Sequence, residues 1–409
     1  MLAPMKLKRT AVFLCIMSVF CACGHNSDIP EPPTPARPPE VADRTVLAYV
    51  LGDNSLTSFA TTDLNEMLDG IKDVNTSLNN LIVYIDRKGV APQLIRICRN
   101  TDNQIIKDTI QSYSITRNSV GVSEMEEVFT YTFDNFPAKS YGLVLWSHGD
   151  GWIPAPPVTS SSRINTRWIG QDTNNGSADK RLNIDDLHTV LKSVPRLDYL
   201  LFDACYMQSV EVAYELRDCA DYFIGSPTEI PGPGAPYQAV VPALFAATNP
   251  ALSVAGAYYD FYEQKYNGGV GMSNANWTGG VSIAVLQSSK LDALASATRD
   301  LSIYSQPSIN QSGILCYDPL REKIYFDMEG VVKTITGNTP AFQNWKAAYD
   351  AAVVYKKTTP KNYVTDFWGR GEMFSMTGYT GVSIYILGSG TASQDAYYKK
   401  LLWYRAMMN

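Results

Sequence analysis

The chain is predicted to be an α/β protein, a mostly parallel sheet flanked by helices. Three observations carry this reading. Short apolar runs of strand length recur through the 409 residues and alternate with segments of helical periodicity. Several of these runs are apolar throughout, as strands buried on both faces of a parallel sheet must be. Two of them, YGLVLWSHG (141–149) and LDYLLFDAC (197–205), end in the reactive residues His148 and Cys205. In open α/β sheets the chemistry collects just beyond the carboxyl ends of the strands, so the two side chains are expected at one sheet edge.

In chain order, strands are expected at 45–51, 81–86, 93–99, 142–147, 198–202, 222–225, 281–286 and 381–387, each a run rich in Val, Ile, Leu, Tyr or Phe. Helices are expected at 61–71, 123–133, 184–193, 208–216, 252–263 and 290–301, where apolar residues recur at helical spacing. Asn183 provides an N-cap for the third of these. The stretch 308–374 is rich in aromatics and shows one helical pattern at 345–355. It reads as a smaller C-terminal subdomain packed on the first, because no second linker interrupts the chain. With 45% hydrophobic and 18% charged residues, the chain after its N-terminal segment can bury a large core.

A thiol next to an imidazole can be held as thiolate or give up its proton, so Cys plus His is a minimal apparatus for acyl transfer. Only 3 His are present, and His25 lies in a Pro-rich stretch, which leaves His148 and His188 as candidate bases and excludes a His-rich zinc site. His188 sits on an amphipathic helix pattern and reads as a packing or surface residue. Taken singly, His148 reads equally well as a satisfied core imidazole and Cys205 as a small buried hydrophobe. Their placement at matching strand ends favours a base and a nucleophile. No Walker-type glycine loop is present, and Asp172-Thr173-Asn174-Asn175-Gly176 lacks the Glu that an EF-hand needs at its twelfth position.

At this point the residues resemble the clostripain-like cysteine peptidases, of the clan that also holds caspases, gingipains, legumain and separase. The resemblance rests on His148-Gly149 and Ala204-Cys205, each after an apolar block, and on RTVLAYVLGDNSL (44–56), DACYMQSVEVAYEL (203–216) and GSPTEIPGPGAPY (225–237). It spans about 44–390 and implies a caspase-like fold and endopeptidase activity. Cys205 would be the nucleophile, His148 the general acid/base, and the backbone N–H groups of Gly149 and Cys205 the oxyanion donors. A preference for Arg or Lys at P1 is implied as well, with Asp203 as the pocket acid. A carboxylate there would pair with a guanidinium or ammonium; the other reading of Asp203 is a cap on the following helix. Where relatives often carry a Trp and sometimes an Asp, this chain has Ala235-Pro236-Tyr237, and Glu229 is the candidate substitute acid. Relatives mature by self-cleavage between the His and Cys strands, and Arg163 and Arg167 in that long polar connection are the candidate sites. No cofactor is required; calcium is allowed by the resemblance alone, with no ligand set readable, and no metal site is assigned.

The N-terminus carries a second signal. Lys6, Lys8 and Arg9 precede an apolar segment at 11–22 that is too short to span a bilayer, a pattern expected of a secretory signal over 1–22. Its end resembles a bacterial lipoprotein box with Cys23 as the lipidated residue, followed by a Pro-rich tether over 23–43 and the peptidase domain over 44–409. The expected setting is therefore the periplasm or cell surface, on a membrane through a lipid anchor. Loss of three cations and no acid with residues 1–22 takes the net charge from −6 to −9, which argues against nucleic acid as a partner. Of the 7 Cys, Cys98, Cys205, Cys219 and Cys316 fall in the folded part. At most one disulfide is expected among Cys98, Cys219 and Cys316, with free buried thiols as the alternative. The partner expected is a peptide or protein with a basic P1. Two other functions stay open: a cysteine peptidase or amidase of non-basic specificity, and a catalytically silent surface binding protein.

Overall fold

Fifteen strands and eleven α-helices follow one another in the computed structural model, which describes residues 34–153, 168–306 and 308–408. The strands are β1 (Ala42–Gly52), β2 (Asn79–Arg87), β3 (Val90–Arg99), β4 (Ile105–Ser112), β5 (Ala138–Trp146), β6 (Ile169–Asp172), β7 (Lys180–Leu182), β8 (Leu197–Asp203), β9 (Ala220–Gly225), β10 (Ser282–Gln287), β11 (Phe326–Asp327), β12 (Val353–Thr358), β13 (Lys361–Thr365), β14 (Gly371–Ser375) and β15 (Ser383–Ile384). The helices are α1 (Thr57–Gly70), α2 (Val122–Asn135), α3 (Ile184–Lys192), α4 (Val210–Glu215), α5 (Tyr237–Leu244), α6 (Pro250–Lys265), α7 (Leu291–Asp300), α8 (Met328–Thr336), α9 (Pro340–Ala352), α10 (Ala392–Tyr398) and α11 (Leu402–Met408).

Nine strands form the central sheet in the order β12-β10-β9-β8-β5-β1-β2-β3-β4. The inner five, β9 to β2, are parallel, and antiparallel strands extend both edges. β1 shows why its sequence is apolar without interruption. Leu47, Tyr49 and Leu51 enter the core under α2, α3, α4 and α7, whereas Val46, Ala48 and Val50 enter the core under α1, α5 and α6. Successive side chains of a strand point to opposite faces, so a strand with a core on each side has no polar position to spare. Full burial of each such residue contributes roughly 1.5–3 kcal/mol before conformational entropy is subtracted.

The seven expected strands from 45–51 to 281–286 all form, as does each expected helix, within a few residues of the expected ends. Two segments differ. The helical pattern at 345–355 stops at Ala352, and Val353 onward becomes β12, which pairs antiparallel with β10 on the sheet edge. Of the run 381–387 only Ser383–Ile384 pairs, because its partner β11 is itself two residues long. The stretch 308–374 thus supplies β12 to the main sheet and, beyond it, the hairpin β13–β14. At the other end, the final residues of the expected tether lie on the domain: Ala36 N–H donates to Arg99 O, and Arg96 donates to Ala36 O. The described residues from Thr34 onward make one compact unit. Among the described residues no helix is long and apolar enough to cross a membrane, and Cys98, Cys205, Cys219 and Cys316 are free thiols.

Candidate active site

β5 and β8 are parallel neighbours with Trp146 opposite Asp203, so the residues that follow each strand leave the sheet side by side. His148 and Gly149 come from one exit, Ala204 and Cys205 from the other, and His148, Gly149 and Cys205 line one cleft of about 320 Å³. Gly149 is required by contact. A Cβ there would stand 2.7 Å from the Ala204 Cβ and 2.9 Å from the Cys205 carbonyl oxygen. The flanking groups are used, Gly170 N–H donating to His148 O and Asp150 N–H to Trp168 O. Among the described residues neither the Gly149 nor the Cys205 backbone N–H has a protein partner. Two unspent donors beside a thiol are what an oxyanion needs.

After Cys205 the chain makes a sharp turn. Tyr206 takes the left-handed conformation (φ 60°), uncommon for a bulky residue, and is held there by stacking on Tyr325 at 5.2 Å and by its N–H bond to Thr228 O. Ser209 then caps α4, its hydroxyl accepting from Val212 N–H. The cap of the helix is therefore Ser209, and Asp203 is free of that duty.

Burial disfavours the charged form of both reacting side chains. Burial, then the nearby Arg321 and Arg181 cations, lower His148 to about 4. Burial, then Glu229, push the Cys205 thiol up to about 12, against the Ile230 N–H that approaches its Sγ at 3.5 Å. His148 Nε2 lies 2.8 Å from Ser55 Oγ, which leaves Nδ1 as the ring nitrogen without that bond. Ser55 is fixed by its neighbours. Asn54 donates to Leu51 O and Gln171 O and accepts from Leu56 N–H. Asp53 accepts from Thr173 Oγ1 and Asn175 N–H.

Asp53 also belongs to a buried trio with Asp86 and Asp172, one oxygen of each lying within 4.8 Å of the others. Burial, then Asp172 and Asp53 as like charges, push Asp86 up to about 7. An oxygen-only set suits a hard cation such as calcium in ligand chemistry. Most of its oxygens accept hydrogen bonds, Asp172 from the Ser119 and Asn174 N–H groups and Asp86 from the Ser119 hydroxyl, so the trio ties the 172–176 turn to the turn carrying Ser55.

Asp203 lines the same cleft and is only 1% exposed. Its carboxylate accepts from Ala235 N–H (3.0 Å), the Tyr237 hydroxyl (2.8 Å) and the Tyr258 hydroxyl (3.0 Å). Burial raises it to about 6 and those donors restrain the rise. Behind it sits Asp63 of α1, which accepts from Trp146 Nε1 and is pushed up to about 9 by burial and then by Asp203. Only a glycine fits above this pair, since a Cβ on Gly234 (φ 72°) would stand 3.0 Å from Asp203 Oδ2. Glu229 also lines the cleft, with its oxygens taken by Thr365 N–H and Oγ1, the Tyr206 hydroxyl and Arg321 at 3.1 Å. Arg163, Arg167 and Cys23 lie outside the described residues. His188 is on the surface of α3, paired with Asp218 at 2.8 Å.

Ser55, Asp63, Arg321 and Thr365 were not foreseen. Ser55 stands in the GDNSL turn of the 44–56 block that resembles the clostripain-like peptidases, and the other three carry no local signal.

A thiol, an imidazole and two unspent backbone donors at the carboxyl edge of a parallel sheet define an α/β cysteine hydrolase. Residues 48–408 match the clostripain family, peptidase family C11. Clostripain of Hathewaya histolytica is 28% identical over 230 residues, which cover 48% of this chain and 41% of that protein, so the match spans less than half of the curated relative. A secreted C11 cysteine protease from Bacteroides thetaiotaomicron, solved with an irreversible peptide inhibitor, is 52% identical with a TM-score of 0.83, covering 90% of this chain and 99% of that one. An inactive zymogen C11 protease from Parabacteroides distasonis is 30% identical with a TM-score of 0.76 over 90% and 99% of the two chains. The chain belongs to the clostripain family of cysteine peptidases.

Proposed function

We propose that this chain is an exported endopeptidase that cleaves after Arg or Lys, with Cys205 as nucleophile and His148 as general acid/base. The observation that carries the specificity is the buried Asp203 carboxylate lining the cleft that holds Cys205. A buried charge is tolerable when an opposite charge arrives to meet it, and a guanidinium or ammonium at P1 does so. In the reaction the thiol proton passes to His148 as sulfur attacks the scissile carbonyl. The Gly149 and Cys205 N–H groups take the oxyanion, and His148 then protonates the leaving amine. Water attacks the acyl-enzyme in the second half. Glu229 is reserved for the wall of the cleft, because Arg321 and Thr365 occupy its oxygens.

Export through the segment 1–22, lipidation at Cys23 and self-cleavage at Arg163 or Arg167 complete the reading. The basic and apolar N-terminal pattern supports the first two, and the relative described as secreted supports export. The relative described as a zymogen supports maturation by cleavage.

The test is a panel of fluorogenic peptides differing only at P1. Arg and Lys peptides are expected to exceed Leu, Asn and Asp peptides in kcat/KM by at least about a hundredfold; equal turnover of Leu and Arg peptides rejects basic specificity. A second prediction concerns Ser55. The bond on one imidazole nitrogen decides which tautomer faces the thiol. Ser55→Ala is therefore expected to lower kcat about five- to tenfold, the worth of one hydrogen bond, with KM little changed and partial rescue in Ser55→Thr. Unchanged kcat in Ser55→Ala removes Ser55 from the mechanism.

A further inference from the structure

The two described hydrophobic side chains that are more than 70% exposed are Trp368 (80%) and Val270 (72%); Phe367 (42%) adjoins Trp368. An indole held this far into water, with a phenyl ring beside it, calls for a partner surface. Trp368 and Phe367 form the tip of the β13–β14 hairpin, and that tip is built rigidly. Asp366 accepts from the Trp368 and Arg370 N–H groups and pairs with the Arg370 guanidinium at 2.7 Å, while Gly369 N–H donates to Asp366 O. The exposure is thus a property of a fixed turn.

The tip borders the cleft. Thr365 and Gly369, on either side of the two aromatics, line the same cavity as Cys205. Thr365 is tied to Glu229 and Arg321, and Arg321 also reaches the Phe367 ring at 5.8 Å. The buried Glu229–Arg321 pair thereby acts as a clamp that sets the hairpin on the wall beside the thiol. Further along the hairpin, Tyr363 packs edge-on against Trp277, which also lines the cleft.

The side of the scissile bond follows from the same contacts. The leaving amine must be protonated by His148, whose ring is bonded to Ser55 Oγ and meets Trp168 edge-on, with the Arg321 and Arg181 cations close enough to act on its charge. The hairpin is anchored instead to the 229 loop, whose Ile230 N–H approaches Cys205 Sγ. That flank is where the subsite proposed below takes the acyl portion of the substrate.

We propose that Phe367 and Trp368 form a subsite for an apolar side chain of the peptide substrate one or two residues N-terminal to P1. This rests on the peptidase reading above. An extended peptide whose P1 side chain reaches toward Asp203 carries its preceding side chains along the wall that Trp277, Tyr363 and the hairpin tip make. Packing an aliphatic or aromatic group on the indole removes apolar surface of both partners from water.

The experiment measures kcat/KM on fluorogenic peptides with Arg at P1 and either Leu or Gly at P2, and a second pair varied at P3, for the whole chain and for Trp368→Ala and Trp368→Phe. The wild type is expected to prefer Leu to Gly about tenfold at one of the two positions. Trp368→Ala is expected to erase that preference, so that its Leu and Gly peptides turn over with equal kcat/KM, and Trp368→Phe to keep most of it. A wild type indifferent to Leu at both positions, or an equal preference in Trp368→Ala, overturns the subsite and leaves the peptidase reading standing. A wild type that cleaves none of the peptides overturns both.

Discussion

Cys205→Ala is expected to abolish peptide hydrolysis, a loss of more than about ten-thousandfold in kcat, and His148→Ala to lose about a thousandfold or more. The two losses are expected to be far from additive, since either side chain alone leaves the other without work. The resting charges make a sharper prediction. With Cys205 pushed up to about 12 and His148 down to about 4, neutral solution holds a thiol beside a neutral imidazole. Proton transfer then accompanies attack on the bound carbonyl. Iodoacetamide, which needs a thiolate but no binding site, is expected to alkylate the free enzyme slowly at pH 7. A peptidyl alkylating agent that occupies the cleft and brings its electrophile to His148 and the oxyanion donors is expected to react quickly. On a peptide with neutral P1, kcat/KM is expected to rise as pH climbs through about 4, where His148 becomes able to accept a proton, and to stay level through neutrality. Rapid iodoacetamide alkylation at pH 6, absent in Cys205→Ala, establishes a preformed ion pair and rejects the neutral resting state.

The parts of this site that could be read from the chain are those that lie at the ends of buried strands. β5 and β8 have a core on each face, so their sequences are apolar up to the point where the chain must leave the sheet, and the first polar or reactive residues beyond it stand out. His148 and Cys205 are legible for that reason. Glu229 was legible as an acid in a loop, but its partner Thr365 is 136 residues away and no local pattern encodes such a contact. Asp63 is read from sequence as one polar position on an amphipathic helix. Only the fold reveals that it faces Trp146 and Asp203. The apolar spacing Phe342, Trp345, Tyr349, Ala352 continues to Val353, so a helix is expected to run on; the sheet edge ends it, because β10 has an unpaired side that Val353–Thr358 can fill. The hairpin β13–β14 was missed because its strands, KNYVT and GEMFS, are short and carry half-exposed positions, and its tip is a turn specified by Asp366.

Asp203→Asn is expected to lower kcat/KM for Arg and Lys peptides by about a hundred- to a thousandfold, with little change for a Leu peptide. Asp203, and not Asp63, carries the charge. Asp63 and Asp203 repel each other, and burial raises both, Asp63 to about 9 and Asp203 to about 6. At pH 7 Asp63 is therefore the neutral acid and Asp203 the anion, stabilised by Ala235 N–H and the Tyr237 and Tyr258 hydroxyls. Asparagine preserves the shape and an acceptor oxygen but removes the charge that a basic P1 meets. Alanine is the poorer probe, because it strands three buried donors at about 1–3 kcal/mol each. Asp63→Asn, which replaces a group already neutral, is expected to leave the preference for basic P1 largely intact. The pH dependence separates binding from folding by opposite signs. Because Asp203 is raised from 3.8 to about 6 in the fold, its contribution to stability is full below pH 3.8 and is lost as pH rises through about 6. Recognition of Arg needs the ionised form, so kcat/KM on Arg peptides rises through that same pH, above the limb near 4 seen with neutral P1. In Asp203→Asn the limb near 6 is expected to vanish. An Asn variant that keeps both its preference for Arg and the limb near 6 would show that another carboxylate holds the substrate, and Glu229 is the other carboxylate lining the cleft.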